Sequence, residues 1–103
     1  MIQVESKDLA RFLEEKKSGF FYFYTPLCGS CQLARQMIEL AEKSSDLPIY
    51  ALDLNLSKEF APLFKIEAVP VLVRIDSGEF SEKTYTLDNI VAVFRFFEKS
   101  LPK

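Results

Sequence analysis

The chain has 103 residues and a formal net charge of −2, a length that predicts one domain over 1–103. Ten phenylalanines, four tyrosines and a charged fraction of 27% provide for one real core and argue against disorder. No basic run offers a nucleic acid its phosphate contacts, and no apolar stretch nears the ~20 residues that cross a bilayer.

The opening segment, MIQVESKDLARF, lacks a basic start followed by an apolar run, so no secretory signal is expected and Met1 is read as a native start. The expected compartment is a reducing cytoplasm, where a permanent structural disulfide is out of place. Neither repeat nor linker interrupts the chain.

The elements follow in order. Residues 2–4 form a short strand. Ser6 is positioned to cap a helix over 7–17, with Leu9, Phe12 and Leu13 on one face and Gly19 as the stop. FFYFY at 20–24 does not alternate, so it reads as a central strand covered on both faces. Over 31–43, Leu33, Met37, Leu40 and Ala41 recur at helical spacing. Residues 48–54 read as a strand, and Ser57 as the cap of a short helix through 64, with Pro62 tolerable near its first turn. A strand over 71–75, a tight turn at Asp76-Ser77-Gly78-Glu79 and a partner over 80–85 make a hairpin. The last helix is predicted over 87–99, with Ile90, Val91, Phe94 and Phe97 toward the core. The order β-α-β-α-β-α-β-β-α predicts an α/β fold, a largely parallel sheet with an antiparallel hairpin and helices on both faces.

The chemistry concentrates in YTPLCGSCQLARQMIELAEK, which holds both cysteines, Cys28 and Cys31. Cys28 follows the FFYFY strand and opens the next helix, at the carboxyl end of a strand where α/β sheets build sites. The first turn of a helix has free N–H groups and a partial positive charge, and both stabilise a thiolate. A spacing of three brings Cys31 beneath Cys28, so the sulfurs can bond. Cys28, the more exposed, would attack a target disulfide, and Cys31 would resolve the mixed disulfide. Other readings are weaker. A structural disulfide closing so short a loop is worth only ~2 kcal/mol. A zinc site needs about four ligands, and the chain has two cysteines and no histidine. The third alternative is a chance spacing.

With FFYFYTPLCGSC, LDLNLSKEFAPLFKIEAVPVLV and IDSGEFSEKTY in view, nearly the whole chain resembles the thioredoxin family. The resemblance implies a thioredoxin fold with a mixed central sheet. It makes Cys28 the nucleophile and Cys31 the resolving cysteine. It places a cis proline at Pro70, where Val69 would present its backbone to an extended substrate, and Leu52-Asp53-Leu54-Asn55 at the family's Asp-x-Asp strand end. Leu27, Gly29, Ser30, Val69 and Pro70 become substrate contacts. No metal and no cofactor beyond the redox-active disulfide is expected. Partners are protein disulfides and, for recharging, a thioredoxin reductase; the protein is expected to be a bacterial-style monomer that binds neither nucleic acid nor membrane.

Departures from the family pattern bear on mechanism. Tyr22 stands where members carry a buried aspartate, and Ala51 where many carry a buried lysine. With a free pKa of about 10 a tyrosine is a poor base near neutrality, so Tyr22 is expected only to fill the core and water to handle the resolving thiol's proton. Tyr24 and Leu27 replace tryptophans, Pro26 a polar residue, Ser30 the proline of CGPC, Gln36 a kinking proline and Val71 a threonine. No glycine occurs in Glu82–Thr86. The expected function is reduction of protein disulfides. The competing readings are a non-enzymatic adaptor binding through the groove at Pro70, a glutathione-dependent glutaredoxin-like enzyme, and a dimer holding a metal or iron–sulfur cluster between two CxxC pairs.

Overall fold

The computed structural model describes residues 1–98. In chain order the elements are β1 (Ile2–Gln3), α1 (Ser6–Glu14), β2 (Gly19–Tyr24), α2 (Gly29–Ala41), β3 (Ile49–Asp53), α3 (Phe60–Leu63), β4 (Val71–Asp76), β5 (Glu79–Thr84) and α4 (Ile90–Glu98), with 3-10 turns at Glu42–Ser44 and Leu54–Leu56. The order matches the predicted one. One sheet runs β1-β3-β2-β4-β5. β3 is parallel to β1 and β2, whereas β4 is antiparallel to β2 and β5. The sheet is therefore mixed rather than largely parallel, because β4 returns beside β2 in the opposite direction.

FFYFY sits at the centre and, as predicted, is covered on both faces. Side chains alternate across a strand, so Phe20 and Tyr22 join the core beneath α2 and α4, while Phe21 and Phe23 join the core beneath α1 and α3. Each layer is knit by rings: Phe20 lies against Phe96 and Phe97, and Phe12 meets Phe21 and Tyr50.

Several local expectations are corrected. Glu5, not Ser6, caps α1: Glu5 and Asp8 form a reciprocal capping box, and the Ser6 hydroxyl donates to the Glu59 carboxylate instead. Helix α1 ends before Gly19, with Lys16 at φ 54°, and Gly19 belongs to β2. Its absent side chain leaves room for Phe12 and the Pro48 carbonyl, which an added Cβ would meet at 3.0 and 3.1 Å. Ser57 does not cap α3 through its side chain; its buried hydroxyl donates to the Asp53 carbonyl at 2.7 Å. On α2 the inward stripe is Cys31, Ala34, Ile38 and Ala41, and Leu33 and Leu40 are 43% and 66% exposed. The aromatic rings of β2 fill the space below, so small residues must face them. Helix α4 begins three residues later than predicted because the Asn89 side chain accepts from the Val91 and Ala92 N–H groups. Val91 is half exposed, and Val93 and Phe96 are buried in its place. The predicted last residue of that helix, Lys99, lies outside the described residues.

The turn at 76–79 is tight, as predicted: Ser77 and Gly78 have φ 50° and 82°, a conformation suited to a two-residue hairpin. Among the described residues no helix is long and apolar enough to cross a membrane.

Candidate active site

The site forms where β2 ends. After Tyr24 the chain crosses residues 25–27, and Cys28 occupies the N-cap of α2 in an extended conformation. Its N–H donates to the Thr25 carbonyl at 3.3 Å, and its carbonyl accepts from the Cys31 N–H at 3.2 Å. The first turn of α2 thus sets the two cysteines at a Cα–Cα distance of 5.3 Å, and they are joined as a disulfide. The pair is asymmetric: Cys31 is 5% exposed, while Cys28 is only half-buried at the rim.

The remaining sequence-predicted residues surround Cys28. Ser30 Oγ lies 3.6 Å from Cys28 Sγ, and the Val69 carbonyl lies 4.0 Å from it. The Val69–Pro70 peptide is cis. Three hydrogen bonds from β5 and the residue after it pin the loop that carries it: Lys83 Nζ donates to the Phe64 and Lys65 carbonyls at 3.2 and 2.7 Å, and the Glu67 N–H donates to the Tyr85 hydroxyl at 3.1 Å. Leu27 is 100% exposed beside Cys28. Gly29 opens on free space, with nothing within 4 Å of a Cβ built there.

A family profile for thioredoxin matches residues 1–94. The chain belongs to the thioredoxin family. With a CxxC pair bonded across a helix N-terminus, this member is a thiol–disulfide oxidoreductase. It is 32% identical over 79 residues to the thioredoxin-like protein YusE of Bacillus subtilis, covering 76% of this chain and 74% of that protein. It is 26% identical over 69 residues to a thioredoxin of Mycobacterium tuberculosis, covering 65% of this chain and 60% of that one. Among solved structures, the thioredoxin of Schistosoma mansoni superposes with a TM-score of 0.79 at 27% identity, covering 97% of this chain and 94% of that chain. A thioredoxin mutant from Halobacterium salinarum superposes at 0.83, covering 99% and 91%, and at 21% identity it speaks to the fold.

Tyr22 does more than fill the core, contrary to expectation. Fully buried beside the small Ala51 across the β2–β3 pairing, it donates its hydroxyl to the Cys31 carbonyl at 2.6 Å. Burial pushes its pKa up to about 12 against the opposing pull of Arg35, which makes it still less of a base. Gln36 leaves α2 continuous over its 13 residues.

Sequence reasoning passed over Arg35. Its guanidinium carbon lies 5.5 and 5.1 Å from the ring centroids of Tyr22 and Tyr24, which stack on each other 5.7 Å apart. The signal was present in the spacing, since Arg35 is four residues after Cys31 and so shares its helix face. Among the described residues no group of three or more His, Cys, Asp and Glu converges to hold a metal.

Proposed function

We propose that this oxidoreductase reduces protein disulfides, with Cys28 as nucleophile and Cys31 as resolving cysteine. The observation that carries the reading is the asymmetry of the pair: Cys28 is accessible at the N-cap of α2, and Cys31 is buried one turn below it. In the reduced protein the Cys28 thiolate is favoured by the helix N-terminus and by the Ser30 hydroxyl, which is near enough to donate. The thiolate attacks one sulfur of the target, and the other target sulfur leaves as a thiolate and is protonated. Cys31 then attacks Cys28, the intermolecular bond breaks, and the second target thiol departs. Two electrons have passed to the target, and the protein is left with the Cys28–Cys31 bond. A thioredoxin reductase is the electron donor the family suggests.

Leu27, Gly29 and Ser30 form one wall of the substrate groove in this reading, and Val69 and Pro70 the other. An extended peptide would pair with the backbone of Val69, which faces Cys28. The proposed working state is a cytoplasmic monomer.

The test is reduction of insulin with dithiothreitol as the electron source. Cys28→Ser abolishes turnover. Cys31→Ser accumulates mixed disulfides with the substrate. Equal, partial losses in the two variants contradict the assigned roles. A wild-type protein that speeds insulin reduction no more than dithiothreitol alone favours the adaptor reading.

A further inference from the structure

A cleft of about 170 Å³ opens against both cysteines. Tyr22, Tyr24, Pro26 and Arg35 help to line it, and among the described residues Arg35 is the only Lys, Arg, Asp or Glu that does. The cation is held in place: its guanidinium lies over two stacked tyrosine rings, and one of those rings is tied through its hydroxyl to the backbone of Cys31. Such rings attract a cation without neutralising it. Among the described residues no carboxylate lies within ion-pairing distance of Arg35. Glu39, one helical turn further on, is exposed. Helix α4 packs over α2 through Val93, Phe96 and Phe97, and its Arg95 lines a different cleft with Glu82 and Lys83. The titratable and charged groups that line the cleft with Cys31 are Cys28, Tyr22, Tyr24 and Arg35, and the Glu39 charge also acts on Tyr22 from outside it, raising its pKa.

A buried thiol resists ionisation, because a low-dielectric site disfavours its charged form. The resolving step nevertheless needs the Cys31 thiolate. We propose that Arg35 is a positioning residue that holds a fixed positive charge beside Cys31, so that the resolving thiolate forms without a carboxylate base. The proposal rests on the reading of Cys31 as the resolving cysteine. In the mixed disulfide the Cys31 thiol gives its proton to water in the cleft. Its thiolate attacks Cys28 Sγ, the bond from Cys28 to the target breaks, and the target sulfur leaves with the electron pair and takes a proton from water. The Cys28–Cys31 bond forms, and no further reactant is consumed. Arg35 acts through the charge of Cys31 and takes no part in the exchange of bonds.

The experiment isolates Cys31 in a Cys28→Ser background and follows its thiolate by ultraviolet absorbance and by the pH profile of its alkylation, comparing Arg35, Arg35→Lys, Arg35→Gln and Arg35→Met. A positive charge in the same cleft favours the thiolate. Removing it should cut the thiolate fraction at neutral pH several-fold, with the same loss in the rate of target release from a mixed disulfide preformed on the full protein. Arg35→Lys should restore most of that loss. If Arg35→Met fails to fold, Arg35→Gln, which keeps a long polar side chain, carries the comparison. Profiles of Met and Gln variants that superimpose on the parent overturn the proposal. So does a loss that Lys does not restore, which would leave Arg35 a packing role. Alkylation does not depend on turnover: a parent inactive on insulin would sink the reductase reading, while an unchanged profile in an active enzyme would sink only this one.

Discussion

The Tyr22 hydroxyl reaches from the central strand to the Cys31 carbonyl at 2.6 Å, so the residue in place of a carboxylate anchors the first turn of the catalytic helix. A hydrogen bond of this kind contributes about 1 kcal/mol net. Tyr22→Phe keeps the ring and removes only this bond. It should lower stability by about that amount in urea denaturation, while Cys28 alkylates at the parent rate. A loss several times larger would show that the hydroxyl holds more of the site than one carbonyl.

The same phenol makes stability fall in alkali. Burial raises its pKa from 10.0 to about 12, so in the folded protein it keeps its proton where the unfolded chain has lost it. Its contribution is intact below pH 10 and declines as pH rises from 10 through about 12, by up to ~1.4 kcal/mol per pH unit. Alkaline denaturation should show this slope in the parent and a shallower one in Tyr22→Phe. Parallel slopes would contradict the assignment.

At the far end of the sheet, Arg74 is buried and pairs with Asp76, Nε and Nη2 donating at 2.9 and 2.7 Å to Oδ1. Burial pushes the Asp76 carboxyl upward, but hydrogen bonds from Arg74 and Ser81 and the Arg74 charge outweigh it and hold the pKa below 3.8. The stability this pairing provides is present above that value and is lost as pH falls through the lower, native one. Because the carboxylate is partly solvated, Asp76→Asn should cost only about 1 kcal/mol at neutral pH. It should also flatten the acid limb of the stability curve. An unchanged acid limb would contradict the pairing.

Two glycines should respond in opposite ways. At Gly78, φ is +82° and an added Cβ would stand 2.5 Å from the Leu13 carbonyl and 2.8 Å from Lys16 Cα, so Gly78→Ala should destabilise by about 2 kcal/mol or more. At Gly29 the Cβ meets nothing within 4 Å at the start of a helix, so Gly29→Ala should be neutral or stabilising by up to ~1 kcal/mol. Thermal melts of both variants make the comparison.

Leu27 is fully exposed, so truncating it should leave folding within about 0.5 kcal/mol of the parent. In the proposed groove, Leu27→Ala should lose an apolar contact to a protein disulfide worth ~1–2 kcal/mol, about 5- to 30-fold in kcat/KM. Against a small disulfide that cannot reach Leu27, the variant should match the parent. Equal losses on both substrates would remove Leu27 from the groove.

How much of this was legible beforehand follows from the range of each interaction. The element order, the two-faced burial of FFYFY and the hairpin at Gly78 depend on neighbours in sequence, and CGSC at a strand–helix junction pointed to redox chemistry that the family resemblance then favoured over the other readings. Helix faces were less legible. Leu33 and Leu40 looked like core residues by size and period, yet of the predicted face only Ala41 is fully buried, and Ala34 and Ile38 take the inward positions beside it.

By itself, the sequence determined the alternation of strands and helices and a spacing at which Cys28 and Cys31 can bond, because these rest on local pattern, while the family was marked by a resemblance along nearly the whole chain. The tertiary structure alone decided that Tyr22 hydrogen-bonds the Cys31 carbonyl rather than merely occupying volume, and that Arg35 lies over Tyr22 and Tyr24. Each of those depends on how a helix is rotated against a strand. Such rotation is set by the packing of whole faces and is encoded in no short stretch of residues.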